Sequence, residues 1–322
     1  MPELKKRTEI AFIIVNYNTV DLLQACLQSI IQHTKLPHEI IVIDNNSDDG
    51  SSAMVQRFFP TVQLIQNQEN VGYPKAINQG LQAISARFYF ILNSDILVLE
   101  DTIANLYDYH SKKSKIGISA PAQVSPNGEA ILSVHQFPTL WREWARNLFF
   151  TDVWRYRLWG QKRAKQIKEP MAIDWVMGAA MFVRQELIDD IGGMDDSIFM
   201  YGEELDWCYR AQLAGWAIEF VPQATITHHK SASADKAFNF YRYAHVVRSN
   251  YYFFAKHFGL RQLPLFVIAQ IIGSLLRAGI AGIFCLLGWK SFCHQAKEHW
   301  ATIKISLNIS LYKWIKKAVT NT

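Results

Sequence analysis

Two groups of carboxylates stand where chemistry explains them better than solvation does. The first is Leu92-Asn93-Ser94-Asp95, which closes a hydrophobic run. The second is Tyr201-Gly202-Glu203-Glu204-Leu205-Asp206, which opens a segment running to Arg210. A carboxylate at the end of a buried strand is costly unless it meets solvent, a partner or a cation. In that position it can hold a divalent metal against a phosphate. A second carboxylate across a cleft can act as base toward an incoming hydroxyl. Metal, phosphate and base together describe a transferase acting on a nucleotide-activated substrate.

Asn93, Ser94 and Asp95 are similar to the Asp-x-Asp arrangement that grips Mg²⁺ or Mn²⁺, with Asn93 replacing one carboxylate. Asp95 is then the direct anionic ligand, and His228 and His229 are the natural suppliers of a second. Imidazole suits Mn²⁺ better than Mg²⁺. A solvated strand end accounts for a histidine pair equally well. In the other cluster, Glu203, Glu204 and Asp206 suit a base poised near neutrality. They also suit the acidic first turn of a helix, with Arg210 as a spaced partner.

Asp44 ends another apolar run and is followed by Asn45-Asn46-Ser47. A carboxylate there can accept a hydrogen bond from a base or ribose, and the same residue types suit a turn. Gly72, in Asn70-Val71-Gly72, can let backbone approach a ligand, and a helix N-terminus beside it would favour phosphate. Asn78 stands within the next helix beside Gly80, which reads as a packing glycine.

The elements needed to position these groups are legible. Residues Ile10 to Val15 form a continuous apolar run, as a buried parallel strand requires. Residues 21–32 carry Leu22, Leu23, Cys26, Leu27 and Ile30 at helical spacing. Strands are expected at 39–43, 63–65 and 88–92, with a helix over 75–86. This alternation predicts an α/β fold whose sheet is mainly parallel, with polar ligands at the carboxyl ends of its strands.

The 322 residues, half of them hydrophobic, allow one large α/β domain plus an appendage. A formal charge of +5 is too small to indicate a nucleic-acid binder. Cys26, Cys208, Cys285 and Cys293 lack metal-ligand spacing and are expected as reduced thiols in a cytosolic setting. The polar N-terminus shows no secretory signal. Residues 141–168 hold four Trp and eight Lys or Arg, which suits a membrane interface. Residues 263–289 are strongly apolar but contain Pro264 and Arg277, and a tail with six lysines follows. An interfacial anchor is therefore expected in preference to a simple span.

Six segments in this order resemble the family 2 glycosyltransferases, in the bacterial rhamnosyltransferase-like branch. They are Val15-Asn16-Tyr17-Asn18, Val42-Ile43-Asp44-Asn45-Asn46-Ser47, Asn70-Val71-Gly72-Tyr73, Leu92-Asn93-Ser94-Asp95, Gly178-Ala179-Ala180, and Phe199 to Asp206. The resemblance implies a GT-A fold, a nucleotide-diphosphate sugar donor, a divalent metal and inversion at the anomeric carbon. It implies a catalytic domain over 8–258, with a nucleotide-binding half to about 98, and a helical membrane-associating extension over 259–322. It casts Glu204 as base, Asp95 and His228 as metal ligands, and Asp44 as the contact to the nucleotide base. Asn16, Asn18, Asn46, Gly72, Asn78, Asn93 and Ser94 join the donor pocket, and Trp175 and Gly178 fall where donor sugar and acceptor meet. By branch, dTDP-rhamnose ranks first as donor and a UDP-hexose second. The aromatic-basic segment and the tail suit a lipid-linked glycan or polysaccharide acceptor at the cytoplasmic face of the membrane, in cell-surface glycan synthesis. Two other functions are weighed: a sugar nucleotidyltransferase, which would need a Gly-rich basic loop where Asn16-Tyr17-Asn18-Thr19 stands, and a non-catalytic membrane-bound sugar-binding subunit.

Overall fold

A fully apolar strand has to be covered on both faces, and this requirement organises the catalytic unit. In the computed structural model, which describes residues 8–149, 167–229 and 240–320, strand β1 (Thr8–Asn16) lies between two parallel neighbours. These are β2 (His38–Asp44) and β4 (Ala86–Asn93), and Ile10 to Ile14 of β1 are completely buried between the layers. Helix α1 (Val20–His33) covers one face with Leu23, Cys26, Leu27 and Ile30, the i, i+3, i+4, i+7 stripe of an amphipathic helix. On the other face α3 (Tyr73–Ala83) comes so close that a Cβ on Gly80 would sit 2.6 Å from Ile13 Cγ2. Gly80 is thus a packing residue, as the sequence indicates.

The ten-stranded sheet runs β3-β2-β1-β4-β11-β6-β12-β5, with β7 and β9 paired beside it. Here β3 is Gln63–Gln66, β5 Ile96–Val98, β6 Ile116–Val124, β7 Ala130–Ile131, β9 Met171–Ala172, β11 Ala180–Arg184 and β12 Ala217–His228. Strands β3, β2, β1 and β4 are mutually parallel, whereas β11 runs antiparallel to both β4 and β6. A separate two-stranded sheet pairs β8 (Val134–His135) with β10 (Trp175–Val176). The remaining helices of this unit are α2 (Ser51–Phe58), α4 (Thr102–Lys112), α6 (Gln185–Ile191) and α7 (Glu203–Leu213).

The chain divides into two compact units, and the division differs from the expected boundary at 258. The sheet unit comprises Met1–Phe137, Gln161–Phe199 and Glu203–Ser231. The helical unit comprises Pro138–Gly160, Met200–Gly202 and Ala232–Thr322. It contains α5 (Leu140–Phe149), α8 (Phe240–Phe258), α9 (Leu263–Leu286), α10 (Lys290–Ser306) and α11 (Ile309–Thr320). Helix α8 belongs here because Tyr251 and Phe254 pack on Phe266 of α9, the latter pair stacked at 4.2 Å. Pro264 does not interrupt α9, because it occupies the first turn, where no N–H is missed. The tryptophan- and arginine-rich residues 150–166 lie outside the described residues.

The expectation of four reduced cysteines is corrected. Cys26 and Cys208 are buried free thiols, but Cys285 and Cys293 form a disulfide across the turn between α9 and α10. The spacing of eight looked unpaired in the sequence. A helix that ends at Leu286 and a new one that starts at Lys290 fold that spacing back on itself.

Two consequences are measurable. Gly72 has φ +88° and its Cβ position lies 2.6 Å from the Phe199 carbonyl oxygen, so Gly72→Ala should cost about 3 kcal/mol or more in equilibrium unfolding. Gly50 has φ +85° with open space around it, and Gly50→Ala should cost only about 1–2 kcal/mol. The second consequence concerns His110, fully buried against Phe88 and Phe182 with Nε2 hydrogen-bonded to Ser119 Oγ. Burial, aided by the Arg184 charge, pushes it from 6.5 down to about 3. Below pH 6.5 the unfolded chain takes up a proton that the native state refuses, so stability falls from pH 6.5 toward 3. His110→Leu should flatten that acid slope by up to about 1.4 kcal/mol per pH unit in urea titrations at stepped pH. An unchanged slope would clear His110 of this role.

Candidate functional site

The carboxyl ends of β1, β2 and β4 meet in a network of buried polar side chains. Asn16 ends β1 opposite Asp44 of β2, and its Nδ2 donates to Asp44 Oδ1 at 2.7 Å and to Ser47 Oγ at 3.1 Å. Asp44 also accepts from the Ser47 N–H at 3.0 Å and the Ser47 hydroxyl at 2.6 Å. Its carboxylate therefore organises the loop after β2, and Asn46, at φ +66°, is held exposed on that loop. Asn18, at φ +54°, closes the facing loop: its N–H donates to Ser47 Oγ and its side-chain oxygen accepts from the Asp48 N–H. Thr19 links the two sides. Its hydroxyl donates to Asn16 Oδ1 at 2.6 Å, which leaves Ser94 to donate to Thr19 Oγ1 at 2.7 Å.

Asp95 follows Ser94 in the turn between β4 and β5, and both are buried. The antiparallel pairing of β5 with β12 sets His228 opposite Ile96 and brings its Nε2 to 3.5 Å from Asp95 Oδ2. On the far side of the ring, Nδ1 meets Gln123 Oε1 at 3.0 Å. With an amide oxygen there, Nδ1 carries the proton and Nε2 turns its lone pair toward the carboxylate. Two electron-rich atoms facing each other in a buried space call for a proton or a cation between them. That donor set, one carboxylate and one imidazole oriented from behind, fits a divalent metal completed by phosphate oxygens. Among the described residues no cluster of three or more His, Cys, Asp or Glu side chains forms a self-sufficient metal site. His229 differs from its neighbour, since its backbone N–H bonds the Asp95 carbonyl at 3.0 Å while His228 supplies the facing ring nitrogen.

The second cluster opens helix α7. Glu203 and Asp206 are buried, and Glu204 is half-buried. Asp206 pairs with Arg210 at 2.8 Å, the i,i+4 partner expected from spacing. The Glu204 side chain lies against Gly178, where an added Cβ would sit 3.4 Å from Glu204 Cβ. Tyr73 stands between the clusters. Burial together with the charges of Glu203, Glu204 and Asp95 holds its phenol well above the ordinary range. It stays protonated, and the hydroxyl donates to the Gly178 carbonyl at 3.1 Å. The two carboxylate groups, more than a hundred residues apart in the chain, thus act on one tyrosine.

Three expected donor residues turn out to have other duties. Gly72 is required for the approach of Phe199, whose carbonyl accepts from the Tyr73 N–H at 2.9 Å, not for the approach of a ligand. Asn78 clamps the backbone of Met194, donating to its carbonyl at 2.8 Å and accepting from its N–H at 2.9 Å. Trp175 stacks on His135 at 4.3 Å and donates from Nε1 to the Gln136 carbonyl. Asn93 stays at the strand end, its N–H bonded to the Ala179 carbonyl at 3.0 Å. Gln123, Thr19 and Tyr73 were not singled out beforehand. Only Tyr73 lay within a recognised segment, while Gln123 is one polar residue in a mostly buried strand and is revealed by the pairing of β6 with β12.

Comparison with known proteins settles the class. A family model described as "Glycosyl transferase family 2" matches residues 11–192, more than half of the chain. The chain belongs to glycosyl transferase family 2. A second model, "Glycosyl transferase family group 2", matches residues 120–311. Among curated relatives of this glycosyltransferase, the N-acetylglucosaminyl-diphospho-decaprenol L-rhamnosyltransferase of Mycobacterium tuberculosis is 30% identical over 275 residues, covering 79% of this chain and 86% of that protein. Rhamnosyltransferase WbbL of Escherichia coli K12 is 26% identical over 148 residues, 44% of this chain and 52% of the relative. Among solved structures, the mannosyltransferase PcManGT of Pyrobaculum calidifontis, determined with GDP-Man and Mn²⁺, superposes with a TM-score of 0.56 at 17% identity. It covers 95% of this chain and 88% of that one. The fold is therefore GT-A, a mixed and mainly parallel sheet flanked by helices.

Because the Asn78 amide is spent on Met194, Asn78→Ala should lower unfolding stability by about 1–3 kcal/mol. It should leave the glycosyl-transfer rate per folded molecule unchanged. A selective loss of transfer at full stability would return Asn78 to the donor site.

Proposed function

We propose that this glycosyltransferase is a metal-dependent, inverting rhamnosyltransferase-type enzyme. It moves a sugar from a nucleotide-diphosphate donor, dTDP-rhamnose first and a UDP-hexose second, to a hydroxyl of a lipid-linked glycan or polysaccharide acceptor. The observation that carries this is the gathering of Asp95, His228 and Glu204 around Tyr73 beside the strand ends that bind nucleotides in such sheets. The printed activity of the mycobacterial relative, rhamnosyl transfer to a diphospho-decaprenol, supports both the sugar and the class of acceptor. Mn²⁺ in the structural neighbour supports the metal.

The donor lies across the loops ending in Asn16, Asn18, Asn46 and Ser94, with Asp44 beneath holding them in place. Asp95 and His228 are the residues that hold Mn²⁺ or Mg²⁺, with Gln123 orienting the imidazole. When bound, the ion supplies Lewis-acid neutralisation of the departing diphosphate. Glu204 removes the acceptor hydroxyl proton as that oxygen bonds to the anomeric carbon and the bond to the nucleotide diphosphate breaks. Displacement is direct, so the sugar inverts and no enzyme nucleophile is required. Tyr73, kept protonated, fixes the Gly178 backbone against which Glu204 rests.

The enzyme works at the cytoplasmic face of the membrane as a peripheral or monotopic protein. Helix α9 is the one described helix long and apolar enough to cross a bilayer, with a mean hydropathy of 1.8. The lysines at 290, 297, 304, 313, 316 and 317 follow it and suit anionic lipid.

Glu204→Gln should reduce transfer by about 10²–10⁴-fold while Mn²⁺-dependent donor binding, read by thermal shift against a panel of nucleotide sugars, persists. Near-normal turnover would remove Glu204 as base. Failure of folded protein to bind any donor would favour the non-catalytic sugar-binding subunit.

A further inference from the structure

The helical unit is built inside out. Helix α5 buries Glu143 and Asn147 but exposes Trp141 at 78% and Phe149 at 67%. Helix α9 does the same over a longer span. It leaves Leu265, Ile268, Leu275, Leu276, Ile280 and Ile283 exposed and buries Gly273 and Ser274. Where the two helices meet, the contacts are polar. Gln270 donates to Glu143 at 2.6 Å, and Glu143 pairs with Arg146 at 2.6 Å. Arg277 donates to Asn147 Oδ1 at 2.8 Å and to the Arg146 carbonyl at 2.7 Å. Asn147 fits against Gly273 so closely that no Cβ has room there. A water-soluble helix pair has the opposite polarity.

Behind this contact lies a cavity of about 330 Å³ whose wall also includes α8 and α10. Its polar lining comes from Arg146, Arg277, Tyr243, Ser274, His299 and Thr302. Burial and the Arg277 charge push His299 down to about 4, so the ring is neutral at pH 7 and acts only as a hydrogen-bonding group. Two guanidiniums against the single carboxylate of Glu143 leave the cavity with an excess positive charge. The size lies at the lower end of the range, about 300–1,000 Å³, of pockets that bury a small ligand. Arginine presents a fork that matches phosphate oxygens.

We propose that this cavity binds the phosphate or diphosphate group of a lipid, its chain lying along the apolar outer faces of α5 and α9. The two sources of that chemistry are the diphosphate of a lipid-linked acceptor and the head group of an anionic phospholipid. The proposal rests on the reading of the enzyme as membrane-associated with a lipid-linked acceptor, and it adds a site in the helical unit where that lipid is held. The residues involved are separate from Asp95, His228 and Glu204.

The test uses the full chain in detergent micelles, titrated with farnesyl diphosphate, with farnesol and with inorganic diphosphate. The expected result is saturable binding of farnesyl diphosphate at least tenfold tighter than farnesol. Arg277→Gln should weaken it at least tenfold by removing charge. Ser274→Leu should weaken it similarly by filling the cavity, and it keeps the test valid if loss of the Arg277 contacts unfolds the unit. Nanodiscs then separate the sources. If phosphatidylglycerol, and not phosphatidylcholine, displaces farnesyl diphosphate, the site takes phospholipid head groups; if neither does, it takes the isoprenoid diphosphate. Equal affinity for farnesol, or wild-type affinity in folded Ser274→Leu and Arg277→Gln, overturns the proposal. Donor-dependent thermal shift on the same samples reports the catalytic site separately, so loss of donor binding with retained lipid binding would fault the enzymatic reading alone.

Discussion

Carboxylates repel one another, yet the sheet unit gathers Asp95, Glu203 and Glu204 from distant segments around the single phenol of Tyr73. The rest of the catalytic arrangement depends on keeping that concentration of charge ordered. Tyr73 stays neutral because its surroundings penalise a further negative charge, and a neutral hydroxyl can donate to Gly178. Its backbone N–H meanwhile ties it to Phe199, a few residues before Glu204. One residue at the start of α3 therefore fixes the chain on both sides of the base. The sheet supplies the counterpart, since β12 returns past β5 to bring His228 to Asp95, and β6 brings Gln123 behind the ring.

The parts of this arrangement that follow from local pattern were legible in the sequence. The apolar runs of β1, β2 and β4, the helical stripe of α1 and the polar residues closing each strand have strong local signatures. Asp95, Glu204 and the histidine pair were recognisable from residue type and from their place at element ends. What stayed hidden depends on contacts between distant positions. Asn78 is a plausible ligand until Met194, 116 residues away, is found to occupy its amide. Gly72 carries a glycine's usual ambiguity, which Phe199 resolves. Gln123 is silent without the parallel register that sets it opposite Ile226. The cysteines misled because sequence spacing does not reveal where a helix turns back. The domain boundary misled for a related reason, as the aromatic residues of α8 have a partner in α9 that composition alone does not name.

The helical unit obeys a different solvent logic from the sheet unit. In the sheet unit apolar side chains fill the space between layers and polar groups gather at strand ends. In the helical unit glutamate, asparagine, glutamine and arginine hold α5 to α9 while tryptophan, phenylalanine and isoleucine face outward. Polar contacts of this kind hold helices together where the surroundings are as apolar as the side chains themselves. The charge at Arg277, which makes α9 an unconvincing simple span, is accounted for by its hydrogen bonds to α5.

The contact of Gly72 with Phe199 has a consequence for how such enzymes diversify. The segment Asn70 to Tyr73 borders the donor side of the sheet, whereas Phe199 leads into the acidic turn of the base, and no side chain separates them. A substitution that reshapes one strip must be met by the other. The two strips should therefore change together when a new sugar or acceptor is adopted. Exchanging a single loop between relatives would leave a mismatched seam, and transplanting both as a pair would carry the seam across intact.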